Sequence, residues 1–205
     1  MIDLYTVPTP NGHRAALALE ECAMAYRTHK VNTGQGEQFS AEFRLINPAA
    51  MVPVIVDPDG PGGRSLTLSQ SGAITIYLAE KSGRLIPKDS AKRYCAYQWF
   101  MQASSDCAMC SQTIAQLVNH APEKSPASVQ FFESRMLKMF GDVNQRLDAV
   151  EYLAGDEFSI ADIALYPIVF VRKTYVECAK LRAVLRWMET VAQRPAVQRG
   201  MQASL

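Results

Sequence analysis

The order of strand and helix patterns in the first 83 residues limits what this chain can fold into more than any other feature. A β-type run at 2–7 ends in Pro8-Thr9-Pro10-Asn11-Gly12, a dense cluster of turn residues. Ala15, Ala16, Leu17, Leu19, Cys22 and Ala23 then recur at helical spacing, with Glu20 and Glu21 turned outward. Residues 26–31 read as a second strand and 34–42 as a polar loop or short helix. Val52-Pro53-Val54-Ile55-Val56 predicts a third strand. The loop at 57–64, with Pro58, Gly60, Pro61, Gly62 and Gly63, returns the chain as a fourth strand at 65–68. Gln70-Ser71 then opens a helix that carries Ala73, Ile74, Tyr77 and Leu78 on one face. A strand–helix–strand unit requires a parallel pair and a short loop an antiparallel one, so the prediction is a mixed four-stranded sheet in βαβ-ββα order.

Beyond 83 the strand signals stop. Residues 84–90, with Pro87-Lys88-Asp89-Ser90, read as a linker between a first domain at 1–83 and an all-helical domain at 91–205. Helices are predicted at 91–118, 126–150, 159–176 and 181–193, and a last short one has Pro195 at its first position. The fold class is therefore α/β followed by all-α. Hydrophobic residues make up 48% of the chain, enough to build both cores, and a net charge of +1 with interleaved signs gives no basic face for nucleic acid. The apolar run at 160–171, interrupted by Asp162 and Pro167, is too short to span a membrane and reads as a buried helix. Cys22, Cys95, Cys107, Cys110 and Cys178 are odd in number and scattered, a pattern suited to a reducing compartment. The first residues, Met-Ile-Asp-Leu-Tyr, lack a signal-peptide pattern, so a cytoplasmic location is expected. His13, His29 and His120 make no ligand spacing with the cysteines, and no metal is expected.

Three local motifs carry chemistry. Proline at the start of a strand has no amide to give to the ladder. A cis bond before Pro53 would present the backbone N–H and C=O of Val52 to an extended peptide, and the βαβ-ββα setting favours it over an ordinary trans proline. Gln70-Ser71 at a helix start combines a natural cap with free N–H groups that bind anions. Ser159-Ile160-Ala161-Asp162 is a Ser-x-x-Asp box, in which both side chains satisfy N–H groups at a helix start.

Taken in order, Pro8-Thr9-Pro10-Asn11-Gly12-His13-Arg14, Asn47-Pro48, Val52-Pro53-Val54-Ile55, Gln70-Ser71-Gly72-Ala73-Ile74 and Ser159-Ile160-Ala161-Asp162-Ile163-Ala164 resemble the glutathione transferases along essentially the whole chain. Thr9-Pro10-Asn11-Gly12-His13 and Gly34-Gln35-Gly36-Glu37-Gln38-Phe39 are most similar to the bacterial Nu-like group, whose members act as glutathione-dependent disulfide reductases. The resemblance implies a thioredoxin-like first domain, glutathione as co-substrate without a metal, and a symmetric homodimer. It implies that Val52 pairs through its backbone with the cysteinyl part of glutathione, with Pro53 cis. Gln70 and Ser71 would hold the γ-glutamyl end, Gln38 the glycyl end, and Thr9 and Asn11 would lie beside the sulfur. Two positions depart from the family. Gln70 stands where relatives usually carry glutamate, and Phe131 where they place an arginine on the second long helix, with Arg135 one turn later as its substitute.

On this reading Asn11, and after it Thr9, activates the thiol of glutathione. Tyr5 lies within a strand and reads as packing. The turn at 9–14 holds no cysteine, which argues against a mixed disulfide with the protein's own thiol. Cys107-Ala108-Met109-Cys110 reads as packing inside a helix, with an accessory thiol pair as its alternative. His13 and Arg14 read as a solvated first helical turn, with anchoring of the glycyl carboxylate as the alternative. The expected reaction is reduction of a disulfide or peroxide. The alternatives are conjugation to a small electrophile, in a pocket built by residues such as Trp99, Met101 and Met109, and a non-catalytic binding protein on the same fold.

Overall fold

Four strands, β1 (Ile2–Thr6), β2 (Tyr26–Lys30), β3 (Val54–Asp57) and β4 (Leu66–Ser69), form one mixed sheet in the order β2-β1-β3-β4. The computed structural model describes residues 1–203. β1 pairs parallel with β2, Leu4 opposite Thr28, and antiparallel with β3, Leu4 opposite Ile55; β3 and β4 are antiparallel. The chain forms two compact units. One is Met1–Ile86 together with the chain from Ala192 onward, and the other is Pro87–Val191.

In the first unit the alternation of β1 buries Ile2, Leu4 and Thr6 toward one face. The opposite face carries Tyr5, whose ring stacks on His29 and meets the edge of Phe43. Phe43 belongs to the short helix α2 (Ala41–Ile46), which with Val31 and Val54 makes a small core on that side. Helices α1 (Pro10–Glu21) and α3 (Ser71–Ser82) pack against each other. Asp57 at the end of β3 fixes α3 by accepting from the Tyr77 hydroxyl at 2.6 Å and Lys81 Nζ at 2.7 Å. Burial opposes its charge, but these donors hold the Asp57 carboxyl below its ordinary value.

The last helix, α10 (Pro195–Ala203), packs on α1 and belongs to this first unit, where the sequence placed it in the helical domain. Gly200 makes the close approach possible, since a Cβ there would lie 3.0 Å from both Cα and N of Leu17. Arg194 grips Glu21 with two bonds of 2.7 Å, and Arg199 reaches Glu20 at 2.7 Å. Glu20 and Glu21, expected to face outward, are thus covered, and the Glu21 side chain is only 7% exposed. α1 keeps the helical period that its sequence predicts. What the period could not show is a second helix lying across its solvent face.

The second unit begins with α4 (Ser90–Met101), which passes through a π-helical segment (Gln102–Cys107) into α5 (Ala108–Asn119), where a single helix was predicted. It continues with α6 (Pro126–Ala149), α7 (Ile160–Val171), α8 (Lys173–Cys178) and α9 (Arg182–Ala192). The helix predicted at 159–176 is interrupted at Arg172, whose guanidinium turns to Ser111, donating to its Oγ at 3.0 Å and its carbonyl at 2.6 Å. Every residue of α7 from Ile160 to Val169 is buried, making it the centre of this unit. Its capping box is formed: Ser159 Oγ accepts from Ala161 N, and Asp162 Oδ2 accepts from Ser159 N at 3.0 Å. Asp162 Oδ1 accepts from Leu153 N at 3.0 Å and Trp187 Nε1 at 2.8 Å.

Burial pushes the Asp162 carboxyl up to about 6, against donors that all favour its anion. A folded-state value above the unfolded one means that this group's contribution is complete below about pH 4 and declines as pH rises through about 6. Urea melts of the wild type and Asp162→Asn should therefore show a stability difference that moves against the wild type by ~3 kcal/mol between those limits. A difference flat with pH would remove this titration.

Candidate glutathione site

Thr9 sits in extended backbone at the N-cap of α1, and Pro10 fills the first helical position, where a missing N–H costs nothing. Thr9 Oγ1 accepts from Gly12 N at 3.2 Å, which leaves the hydroxyl proton to donate elsewhere. Gly12 lets the helix start close against the end of β1. A Cβ there would lie 2.1 Å from Val7 O and 2.5 Å from Thr6 Oγ1. Gly12→Ala should cost about 3 kcal/mol of stability and distort the turn, readable as a lowered Tm together with lost glutathione affinity. Unchanged values of both would show that the turn can shift freely.

His13 and Arg14 overturn the expectation of a solvated first turn: they are 6% and 1% exposed. The reason is that α1 is buried throughout Gly12–Leu19, so its first turn has no solvent side at these positions. Burial holds the His13 imidazole below its ordinary pKa, favouring the neutral ring. Arg14 Nη1 donates to Asn11 Oδ1 at 3.0 Å and lies 3.5 Å from Ser71 Oγ; Ser71 Oγ in turn donates to Asn11 Oδ1 at 3.3 Å. A guanidinium has no acceptor, so the atom of Asn11 that faces it must be the oxygen. The amide nitrogen is therefore turned away, and it has no acceptor among the described residues.

The Val52-Pro53 bond is cis, as the sequence suggested. Asn47 pins the preceding turn, donating from Nδ2 to Met51 O at 2.8 Å and accepting from Ala49 N at 3.2 Å. The backbone N–H and C=O of Val52 make no hydrogen bond among the described residues. Because Val54 is opposite Tyr5 on one side and Ser69 on the other, Val52-Pro53 stands at the start of the inner strand β3, between the turn after β1 and Gln70.

Gln70, rather than Ser71, occupies the N-cap of α3, with φ 71° and ψ 111° and no side-chain cap bond. A non-glycine residue there costs about 1–3 kcal/mol, a strain typical of ligand sites. Ser71 is the first helical residue, and its hydroxyl is engaged with Asn11. What remains for an anion is the set of N–H groups in the first turn of α3, which have no intrahelical partner. Gln38 lies in a short helical turn (Glu37–Phe39), and its buried Oε1 has no partner among the described residues.

Arg135 belongs to the second unit, on α6, where it is exposed and its charge favours the Cys110 thiolate. Burial raises the Cys110 thiol pKa, against the pull of Arg135. Cys107 and Cys110 are buried and form no disulfide, which suits packing better than a reactive pair. No group of three His, Cys, Asp or Glu side chains that could hold a metal is gathered among the described residues. The residue that sequence reasoning undervalued is Arg14. Its signal was the i, i+3 spacing from Asn11, which puts both on one side of the helix.

Comparison with known proteins gives the family. The model of the glutathione S-transferase N-terminal domain matches residues 9–81, and that of the C-terminal domain matches residues 103–195. The disulfide-bond oxidoreductase YfcG of Escherichia coli is 38% identical, over 98% of this chain and 94% of its own length. A glutathione transferase from Burkholderia graminis, solved with two glutathione molecules bound per subunit, is 35% identical with a TM-score of 0.91, over 98% of this chain and 87% of that one. One from Pseudomonas putida, solved with one glutathione disulfide per subunit, is 33% identical with a TM-score of 0.90, over 98% and 90%. A half-buried amide at the start of α1, an unpaired backbone at Val52 and open N–H groups at α3 thus stand on a chain that belongs to the glutathione S-transferase family.

Proposed function

We propose that this enzyme binds glutathione, stabilises its thiolate with Asn11 and Thr9, and uses it to reduce disulfides. The observation that carries the reading is the Asn11 amide, with its oxygen held inside by Arg14 and Ser71 and its nitrogen left to donate. A free thiol with pKa near 8.5 is only a few per cent ionised at neutral pH. Lowering that value by about two units needs ~2.7 kcal/mol of preference for the anion. Two neutral donors and the N-terminus of α1 together supply that order of magnitude.

The glutathione thiolate attacks one sulfur of the substrate disulfide, and the other sulfur leaves as a thiolate that takes a proton. A second glutathione thiolate then attacks the mixed disulfide at the first glutathione's sulfur. The products are two thiols from the substrate and one glutathione disulfide, so no protein cysteine is consumed. Tyr5, packed between His29 and Phe43, is not needed.

Val52 would pair with the cysteinyl backbone beside cis-Pro53, the α3 N–H groups with Gln70 and Ser71 would hold the γ-glutamyl end, and Gln38 the glycyl end. The linker at 84–90, action as a symmetric homodimer and a cytoplasmic location are part of the same reading. Exposed Phe39, Leu45 and Met51 and five cysteines outside any disulfide support the last two.

Turnover of hydroxyethyl disulfide, coupled to glutathione reductase, tests the reaction. No turnover by protein that binds glutathione would sink it, and faster conjugation of chlorodinitrobenzene would replace it with transfer to electrophiles. Gln70→Glu should restore a charge opposite the ligand's ammonium group and tighten glutathione about five- to tenfold by calorimetry. Equal affinity would show that the residue at 70 does not meet the ammonium group.

A further inference from the structure

The buried guanidinium of Arg14 has no role in the reaction as written, yet it occupies the centre of the site. It is 1% exposed, on the first turn of α1, and its Nη1 reaches both Asn11 Oδ1 at 3.0 Å and Ser71 Oγ at 3.5 Å. An uncharged contact would be enough for packing, and a buried cation is expensive unless its donors are well used.

An asparagine side chain can turn its amide by half a revolution at little cost, because χ2 is broad and nearly two-fold. Turned one way it gives a sulfur anion a donor. Turned the other way it places a carbonyl oxygen against that anion, which repels it. Activation by Asn11 therefore requires something that holds one orientation. Ser71 donates to Asn11 Oδ1, but a hydroxyl has a single proton. A glutamyl carboxylate arriving at the start of α3 competes for that proton. Arg14 cannot be drawn away in this manner, since it has donors only and stays protonated. A flipped Asn11 would also set its NH2 against the guanidinium, donor against donor.

We infer that Arg14 is a positioning residue for thiol activation: it locks the Asn11 amide with its oxygen inward and its nitrogen toward the glutathione sulfur, and keeps it so when the ligand engages Ser71. The inference rests on the proposed role of Asn11, and the two are separable by experiment. Ser71 makes the lock a relay as well. The helix that receives the γ-glutamyl end and the residue that activates the thiol share one hydrogen-bonded ring, so thiols without that end gain less from the site.

The test is the pKa of the bound glutathione thiol, read as ultraviolet thiolate absorbance against pH, in Arg14→Met, Arg14→Lys, Asn11→Ala and the double variants. Arg14→Met should raise this pKa by about one unit, as Asn11→Ala does, and lower kcat near neutral pH about threefold while KM stays nearly unchanged. Arg14→Lys, which keeps a charged donor, should recover part of the shift. In the Asn11→Ala background neither Arg14 substitution should shift the pKa further, because the only route proposed for Arg14 runs through Asn11. If Arg14→Met does not fold, Arg14→Lys carries the test alone through its non-additivity with Asn11→Ala. An equal shift with and without Asn11 would overturn the inference, as would a folded Arg14 variant with an unshifted thiol. A thiol unmoved by Asn11→Ala would instead overturn the role of Asn11 itself.

Discussion

Asp162→Ala should lower the unfolding free energy by about 4 kcal/mol, the largest single effect expected outside the glutathione site. The carboxylate is fully buried and accepts from Ser159 N, Ser159 Oγ, Leu153 N and Trp187 Nε1. Each of those donors lies in the core of the helical unit, so the loss leaves four polar groups without an acceptor rather than one. It also unfastens three separate pieces of chain from one another: the approach at Leu153, the start of α7 and the indole on α9. Asp162→Asn keeps one acceptor oxygen and should lose less. Urea denaturation measures both, and a loss under 1 kcal/mol for the alanine variant would mean that water or another group takes over these donors.

Asn11→Ala should have the largest effect on chemistry. It removes a side-chain nitrogen that has no acceptor among the described residues and whose amide oxygen is held by Arg14 and Ser71. The bound thiol pKa should rise by about one unit, from about 6.5 to about 7.5, so the thiolate fraction at neutral pH falls about threefold, and disulfide turnover falls with it. The loss should shrink as pH is raised, because the thiol then ionises unaided. Thr9→Ala should do less, since its hydroxyl is shared with Gly12 N and its helix-capping role affects stability too. A pH–rate profile of Asn11→Ala that overlays the wild type would exclude the amide from activation.

Much of this fold was legible from local chemistry. Prolines 126 and 195 mark helix starts because the first helical position needs no N–H, and both helices begin there. Ser159 and Asp162 announce their box at fixed spacing, and the turn residues at 57–64 fix the hairpin. Val52-Pro53 and Gln70-Ser71 were found because backbone constraint and helix-end chemistry leave a trace in residue type. What escaped was tertiary. Glu20 and Glu21 look like surface residues until Arg194 and Arg199 arrive from more than 170 positions away. Arg14 carries a charge that composition assigns to solvent, and only the closure of α1 against its neighbours makes it an interior anchor. Gln70 adopts a left-handed backbone that its type does not call for, so the strain is invisible until the strand and helix on either side are in place.

The return of α10 to the first unit has a bearing on how the chain is made. A ribosome releases 1–86 long before it reaches 192, so the sheet emerges without the helix that covers Leu17 and neutralises Glu20 and Glu21. The thioredoxin-like unit is therefore begun before Pro87–Val191 and completed after it, while Pro87–Val191 can gather its own core in between. Closing so long a loop favours slow assembly of this unit, because α1 must wait for a helix that arrives from beyond residue 191.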